Sequence, residues 1–381
     1  MRQVALLVLL VLPFSALSLD FLVLGDFGWT LNLTNGPIQS FDAMDSYVST
    51  HNEISFLISV GDNLYVKNET DPTMEDVNLM MSLFENRTHL KDKYIWGIRG
   101  NHDCTQRDPW FEVDNITREH PTWRMPGLYY EKRFEIAGGK RVGVLFIDSC
   151  LAICANYSFD NNSNTQHDSA NNFMEDEDHR HFGFGKLNCG DSWIQQEGQK
   201  LYTWLETTLN SWESDPSLVW KFSVQHHPMF DKYITDELNL TSNLLPLLLQ
   251  SKLDLYLCGH KHYASHSYYP YDQVTPTHTT LLSQPHCVSE QELFFSNYQL
   301  REETYLKGYA LHQILQGSTG GFDSTPVCPG TPTMGRYTWL NNRERGGFTH
   351  VSVKEDKIIV KWINVKGEEI YRVNILNDQM F

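Results

Sequence analysis

The chain has 381 residues, of which 41% are hydrophobic, and its formal net charge is -17. This apolar fraction is enough for one large α/β core or two smaller ones, and it excludes collagen-like and intrinsically disordered chains. Since no Lys/Arg cluster is dense enough to follow a phosphate backbone, nucleic acid is not an expected partner.

The N-terminus predicts a secretory signal peptide, residues 1–18. Arg2 precedes an apolar segment from Val4 to Leu12, and the small residues Ala16 and Ser18 fit a cleavage after Ser18. An uncleaved membrane anchor is the alternative, but the segment is far shorter than the ~20 residues that span a bilayer. No later segment predicts a transmembrane helix, and the C-terminal NDQMF carries no lipid-anchor signal.

Sequons and cysteines agree with export. Asn-x-Ser/Thr sequons begin at Asn32, Asn68, Asn86, Asn115, Asn156, Asn161 and Asn239. The seven cysteines show no CxxC zinc pairing, so they predict disulfides in an oxidising compartment. The odd number leaves at least one outside any intrachain disulfide, and Cys258, in an apolar run, is the expected buried thiol. We therefore expect an N-glycosylated protein that is secreted or lysosomal.

Short apolar runs that end in polar, glycine-containing turns predict buried strands. In chain order these runs are DFLVLGD, ISFLISVGD, YIWGIRGNH, RVGVLFIDS, LVWKFSVQHH, LDLYLCGHKH and YALHQILQGSTGG. Helical patterns lie between several of them: SFDAMDSYVSTHN, TMEDVNLMMSLFENR, QQEGQKLYTWLETTLNSW and SNLLPLLLQSK. This alternation predicts an α/β fold with its site in the loops that follow the strands.

Two later segments depart from this alternation. The C-terminal GGFTHVSVKEDKIIVKWINVKGEEIYRVNI has a two-residue period broken by turn signals, which predicts three antiparallel strands that close a sheet sandwich. Residues 156–182 have almost no aliphatic side chains and predict a solvated, mobile acidic loop. Its histidines His167, His179 and His181 lack an anchored ligand spacing, so the solvated loop is favoured over a metal cluster.

Polar side chains follow five of the predicted strands. The motifs are GDFG with Asp26, GDNLY with Asp62 and Tyr65, GNHD with Asn101 and His102, QHHP with His226 and His227, and GHKH with His260 and His262. Each alone is explained by a turn, a helix cap or a packed histidine. Together, carboxylate, amide and imidazole groups at strand ends predict a pair of metal ions at one rim of the sheet, rather than structural zinc.

These motifs resemble the five blocks of the calcineurin-like metallophosphoesterases, and GDNLY matches the GDxxY that is typical of the purple acid phosphatases. The resemblance runs from about residue 20 to the end, and FIDSCLAICAN, QGSTGGFD and the C-terminal segment are similar to parts of the small, mammalian-type (tartrate-resistant) enzymes. It implies a four-layer αββα sandwich of two mixed sheets flanked by helices. Because no internal repeat or linker interrupts it, we expect a single domain over residues 19–381.

The resemblance also implies a ligand set for each metal ion. A ferric ion is assigned Asp26, Asp62, Tyr65 and His262, and a divalent ion (iron, zinc or manganese) is assigned Asp62, Asn101, His226 and His260. Asp62 therefore bridges the two ions. Ser223 replaces the usual valine of the fourth block, and the HxP spacing selects His226 over His227. A ferric ion accounts for Tyr65, because a phenol with a pKa near ~10 is a poor ligand for a divalent ion at acid pH.

The implied activity is hydrolysis of phosphate monoesters by a metal-bound hydroxide that attacks phosphorus in line. The substrate could be a small molecule, a nucleotide or a phosphoprotein. His102 is expected to bind phosphate and help protonate the leaving oxygen, and a structural role is its alternative. Relatives have a further histidine where Thr235 stands, so either Asp236 or Glu237 substitutes as the acid or His102 acts alone.

Two other functions stay open at this stage. A phosphodiesterase or nucleotide pyrophosphatase would use the same scaffold without a ferric site, and Tyr65 argues against it. A catalytically silent scaffold protein would have no physical need to keep every candidate ligand.

The acidic loop at 156–182 resembles by position a loop that restrains mammalian-type relatives until it is cleaved. We expect a monomer.

Overall fold

The computed structural model of this protein describes residues 18–28, 35–65, 72–155, 189–229, 240–271, 301–320, 336–341 and 346–377. The expected signal peptide, the acidic loop at 156–182 and Asp236 with its neighbours Thr235 and Glu237 fall outside these residues.

The described residues form fifteen strands and seven α-helices. The strands are β1 (Leu19–Leu24), β2 (Ile54–Ser59), β3 (Tyr94–Gly97), β4 (Trp123–Arg124), β5 (Tyr130–Glu135), β6 (Arg141–Phe146), β7 (Leu218–Val224), β8 (Leu255–Cys258), β9 (Ala264–Pro270), β10 (Arg301–Leu306), β11 (Ala310–Gln316), β12 (Arg336–Asn341), β13 (Phe348–Val353), β14 (Lys357–Ile363) and β15 (Glu369–Leu376). The helices are α1 (Asn35–Thr50), α2 (Met74–Glu85), α3 (Asn101–Cys104), α4 (Thr117–Glu119), α5 (Ser149–Cys154), α6 (Ser192–Glu213) and α7 (Leu245–Gln250). Two π-helical turns, Glu112–Ile116 and Leu240–Leu244, and a 3₁₀ turn, Ala137–Gly139, complete the set.

The described strands form two mixed sheets. The first has the order β10-β15-β14-β13-β1-β2-β3-β4 and the second has the order β12-β9-β11-β8-β7-β6-β5. Strands β1 to β4 run parallel in the first sheet, as do β6, β7, β8 and β11 in the second. The predicted fold is confirmed: two mixed sheets are flanked by helices. The strands predicted from the apolar runs are all present, and the predicted C-terminal strands are β13, β14 and β15, which pair antiparallel.

The two sheets pack face to face through large side chains. Phe56 of β2 stacks on Phe134 of β5 with ring centroids 4.6 Å apart. At another point Trp362 of β14 donates its indole N–H to the carbonyl oxygen of Leu315 in β11 at 3.4 Å. The parallel strands β1 and β8 are buried over their whole length because both of their faces are covered.

The helices bury apolar stripes against the outer faces of the sheets. Asp191 is the N-cap of helix α6, and its carboxylate accepts the N–H of Trp193 at 2.8 Å. Its buried residues recur every three or four positions, with Thr208 and Leu209 adjacent; they are Ile194, Gly198, Leu201, Leu205, Thr208, Leu209 and Trp212. On the first sheet, Phe41 of α1 and Phe84 of α2 pack edge to face at 4.7 Å.

Two disulfides agree with the expected oxidising compartment. They join Cys104 to Cys150 and Cys154 to Cys189. Cys258 is buried in β8, as expected, and its Sγ lies 3.7 Å from the carbonyl oxygen of Ile314. In the part of the chain that is described, no helix is long and apolar enough to cross a bilayer.

Candidate metal centre

The candidate ligands lie at strand ends of both sheets, where their carboxyl ends meet. Asp26, Asp62 and Asn101 follow β1, β2 and β3 of the first sheet. His226 follows β7 and the GHKH motif follows β8, both of the second sheet. The sequence-based expectation of one rim of one sheet is therefore corrected, because the fourth and fifth motifs belong to a different sheet from the first three.

One half of the centre consists of candidate oxygen ligands and one histidine. Asp26, Asp62 and His262 each present a ligand atom, and these atoms lie within 4.8 Å of one another. The Nε2 of His262 is 3.6 Å from Asp26 Oδ1. Tyr65 joins this group, with its Oη 2.9 Å from Asp62 Oδ2 and 3.4 Å from His262 Nε2.

The other half consists of two candidate histidine ligands and the amide oxygen of Asn101. The Oδ1 of Asn101 lies 2.8 Å from His226 Nε2 and 2.8 Å from His260 Nδ1. His226 Nε2 is also 3.3 Å from Asp62 Oδ1. Asp62 thus faces Tyr65 with one oxygen and His226 with the other, which is the placement that a bridging carboxylate requires.

The backbone at these strand ends is unusual. Asp26, Asp62 and His260 have φ angles of 57°, 54° and 71°, which non-glycine residues seldom adopt. Such conformations cost about 1–3 kcal/mol each and cluster at functional sites. Close approach also requires glycine: a Cβ at Gly100 would collide with Oδ1 of Asp62, and one at Gly259 would collide with Oδ2 of Asp26.

Hydrogen bonds from the protein orient several candidate ligands. His226 Nδ1 lies 2.9 Å from the carbonyl oxygen of Val60, so an N–H there leaves Nε2 facing the centre. The backbone N–H of His260 donates to Asp26 Oδ1 at 3.1 Å and to Oδ2 at 3.0 Å. In the same way the backbone N–H of His102 donates to Asp62 Oδ1 at 3.0 Å.

Asp103 ties the second and third motifs together, a role that sequence reasoning missed. Its carboxylate accepts the backbone N–H groups of Gly100 at 2.8 Å, Asn63 at 3.0 Å and Leu64 at 3.0 Å. These donors stand beside candidate ligands in GDNLY and GNHD. The only signal in the sequence was an acidic residue at the end of GNHD.

The electrostatics of the centre favour cations. Burial, followed by the charge of Asp62, raises the pKa of Tyr65 well above its usual value. Burial raises the pKa of Asp26 to about 8, although His226 opposes this shift. For Asp62 burial acts in the same direction, but the charges of His226 and His102 outweigh it and hold the pKa below its usual value. A positive ion would offset the cost of burying these carboxylates and the phenolate.

The donor set fits such ions. Carboxylate, phenol, amide and imidazole groups converge from both sheets, and Asp26, Asp62 and His262 alone form a candidate metal site. The buried carboxylate of Asp26, whose pKa is raised, and the carboxylate of Asp62, which faces both halves, support a two-metal rather than a one-metal centre.

The two remaining histidines of the motifs border the centre. The ring of His102 lies 4.2 Å from that of Tyr65, and its Nε2 lies 3.8 Å from Asp62 Oδ2. His227 packs its ring 4.6 Å from that of His260 and places Nδ1 2.8 Å from Ser149 Oγ. Asp236, the expected proton donor, lies outside the described residues.

A family model described as calcineurin-like phosphoesterase matches residues 19–264. The chain is 27% identical over 260 residues to purple acid phosphatase 7 of Arabidopsis thaliana, which covers 65% of this chain and 66% of that protein. It is 20% identical over 379 residues to tartrate-resistant acid phosphatase type 5 of Mus musculus, which covers 94% and 90%. The match to the Arabidopsis protein thus spans just under two thirds of that relative.

Two solved structures share the fold. One is described as GAP50, the anchor in the inner membrane complex of Plasmodium, with a TM-score of 0.59 and 17% identity over 94% of this chain and 89% of that chain. The other is the purple acid phosphatase PPD1 from yellow lupin (Lupinus luteus), with a TM-score of 0.53 and 12% identity over 96% of this chain and 55% of that chain. At these identities the likeness concerns the fold alone.

Proposed function

Because the chain belongs to the calcineurin-like phosphoesterase family, we propose that it is a purple acid phosphatase that hydrolyses phosphate monoesters. The observation that carries the finer proposal is the position of Tyr65, whose Oη is within 3.4 Å of both Asp62 and His262. The named relatives support the same activity.

We assign the candidate ligands to two ions. A ferric ion takes Asp26, Asp62, Tyr65 and His262, and a divalent ion of iron, zinc or manganese takes Asp62, Asn101, His226 and His260. When bound, such a pair supplies Lewis-acid stabilisation of the charge on the phosphoryl oxygens and lowers the pKa of water in the site.

The chain's own groups set up this site for acid pH. Two aspartates and the phenolate of Tyr65 bring three negative charges against five positive, which leaves the centre attractive to a phosphate. The Val60 carbonyl keeps the proton of His226 on Nδ1, so that Nε2 stays available. His102, next to Tyr65 and Asp62, donates a hydrogen bond to phosphate and passes a proton from Nε2 to the leaving oxygen. Asp236 is a second proposed acid.

We propose that the protein is a secreted or lysosomal, N-glycosylated monomer that acts on small phosphomonoesters, nucleotides or phosphoproteins. The two disulfides support an oxidising compartment, and the calcineurin-like phosphoesterase family supports a phosphate ester as substrate. The small, mammalian-type subgroup and regulation by the loop at 156–182 stay proposals as well.

The test compares two substrates on protein reconstituted with iron and zinc. We expect p-nitrophenyl phosphate to be hydrolysed at about pH 5, and bis(p-nitrophenyl) phosphate to be hydrolysed much more slowly. Faster hydrolysis of the diester would favour the phosphodiesterase instead. No release from either substrate at any pH would favour a silent scaffold protein.

A further inference from the structure

The start of helix α5 contacts two of the loops that carry candidate ligands. We call Asp148, Ser149 and Cys150 the α5 hub; they are consecutive, and all three are fully buried. None of them belongs to the candidate metal centre. Each contacts a residue one to three positions from Asn101 or from His226. Asn101 Oδ1 and His226 Nε2 lie 2.8 Å apart.

Asp148 holds the chain immediately before the third motif. Its Oδ2 accepts the Nε–H of Arg99 at 2.7 Å and lies 2.6 Å from Nη2, in an ion pair that is buried on both sides. Its Oδ1 accepts the N–H of Leu151 at 3.1 Å, which caps the helix. Separating these buried charges would leave each without its partner, so the ion pair holds Arg99 against Asp148.

Cys150 holds the chain immediately after the same motif. Its disulfide attaches α5 to Cys104, the last residue of α3. The Sγ of Cys150 also lies 3.8 Å from the carbonyl oxygen of Gly100. Residues 99 and 104 are therefore both fixed to the same helix turn. Asn101 and His102 lie between these two attachments.

Ser149 reaches the fourth motif, which comes from the other sheet. Its Oγ is 2.8 Å from Nδ1 of His227 and accepts the backbone N–H of His227 at 3.3 Å. His227 follows His226 directly, and its ring packs 4.6 Å from the ring of His260. A single hydroxyl thus positions the segment that carries His226 and a ring that supports His260.

We infer that the α5 hub positions Asn101, His226 and His260 and thereby sets the affinity of the divalent site. This inference rests on the proposed function, since it uses the assignment of these residues to the divalent ion. The hub contacts described above reach Arg99, Gly100, Cys104 and His227, none of which is assigned to the ferric ion. Changes in the hub should therefore weaken the divalent site selectively and leave the ferric site intact.

The test uses full-length protein that holds only the ferric ion, titrated with Zn²⁺ by calorimetry. Ser149→Ala removes the hydroxyl and should weaken Zn²⁺ binding about 10-fold; the pair Cys104→Ser, Cys150→Ser should weaken it about 10- to 100-fold, as changes around metal ligands do. The visible band of a tyrosinate bound to iron should stay unchanged in both variants. A merely structural role would not separate these two readouts.

The matched control is the pair Cys154→Ser, Cys189→Ser, which removes the disulfide at the far end of α5. It should lower the melting temperature and leave the Zn²⁺ affinity at the wild-type value. Wild-type affinity in Ser149→Ala, or equal losses in the control, would overturn the inference. If Cys104→Ser, Cys150→Ser does not fold, Ser149→Ala decides alone. A wild-type protein that binds neither iron nor Zn²⁺ would instead refute the proposed function on which the inference rests.

Discussion

Asp103 shows how one buried carboxylate can determine the geometry of a site that it does not enter. It accepts three backbone N–H groups, two from GDNLY and one from GNHD. These loops also carry Asp62, Tyr65 and Asn101. Replacing a residue that orients metal ligands typically lowers the metal affinity 10- to 100-fold. We expect a loss of about 10-fold or more when Asp103 is replaced.

Replacing Asp103 with Asn should weaken metal binding and destabilise the protein. The amide has one acceptor oxygen where the carboxylate had two, so at least one buried N–H loses its partner, at a cost of about 1–3 kcal/mol. Urea unfolding of the metal-free variant measures this cost, and calorimetry measures the metal affinity. Asp254→Asn is the matched control, because Asp254 is equally buried and accepts the N–H of Lys221 at 2.9 Å at the opposite end of β8. If both variants bind metal as the wild type does, Asp103 has only a structural role.

Because the pKa of Glu112 is raised in the folded protein, we expect Glu112 to make the stability depend on pH. Burial, followed by the neighbouring Asp103, raises its pKa well above the usual value, and Asn63 donates to its Oε2 at 2.9 Å. The folded protein therefore holds a proton that the unfolded chain releases near pH 4.5. Glu112 contributes fully to stability below that pH, and the contribution is lost as pH rises through the folded pKa.

Glu112→Gln should remove this dependence, because the amide keeps a donor and an acceptor without titrating. We expect the unfolding free energy of the metal-free wild type to fall relative to the variant by up to about 1.4 kcal/mol per pH unit above pH 5. Urea unfolding at pH 4.5, 6 and 7.5 measures the difference. Parallel curves for the two proteins would contradict a protonated Glu112.

At the scale of single elements, two sequons lie in different backbone environments. Asn86 is the exposed C-cap of α2, and Thr88 of the same sequon is exposed. Asn115 lies half-buried within the π-helical turn Glu112–Ile116, and its Oδ1 accepts the Nη2–H of Arg118 at 2.9 Å. A glycan requires an accessible asparagine on a surface segment.

In protein exported from eukaryotic cells, Asn86→Gln should remove one N-glycan, and Asn115→Gln should remove none. Mass spectrometry with and without an endoglycosidase measures the number of glycans. Loss of a glycan in the Asn115 variant, with none lost in the Asn86 variant, would reverse this assignment.

The elements that could be predicted are those in which the buried positions are occupied by apolar side chains. Strand β1 reads LDFLVL and is buried throughout, and α6 shows apolar residues at helical spacing. Strand β9 reads ASHSYYP and is also buried throughout, but its serine and histidine residues give no apolar pattern from which a buried strand could be predicted. Helix α5 was missed because its apolar SCLAIC directly follows the apolar run of β6. In both cases tertiary contacts, rather than local pattern, determine the structure.

At the scale of the whole molecule, the candidate centre joins the two sheets. Asp62 and Asn101 come from the first sheet and His226 and His260 from the second, with contacts of 2.8 to 3.3 Å between them. The motif residues could be predicted because each stands next to a recognisable strand. Asp103 and the α5 hub could not, because their partners lie up to 78 residues away in the chain.

Metal removal should therefore destabilise the whole protein rather than one loop. A ligand present at about 1,000 times its Kd adds about 4.1 kcal/mol to stability. Calorimetric melting before and after treatment with a chelator and a reductant should show a clear fall in Tm, which reloading with iron and zinc should reverse. An unchanged Tm would indicate that the sheets hold the centre in place without the ions.

The assignment of Tyr65 to a ferric ion is the central claim, and the visible absorption spectrum with iron content tests it most directly. Wild-type protein should contain iron and show a tyrosinate-to-iron charge-transfer band. Tyr65→Phe should retain iron and much of its phosphatase activity but lose the band. Wild-type protein without iron, or an unchanged band in Tyr65→Phe, would contradict the account.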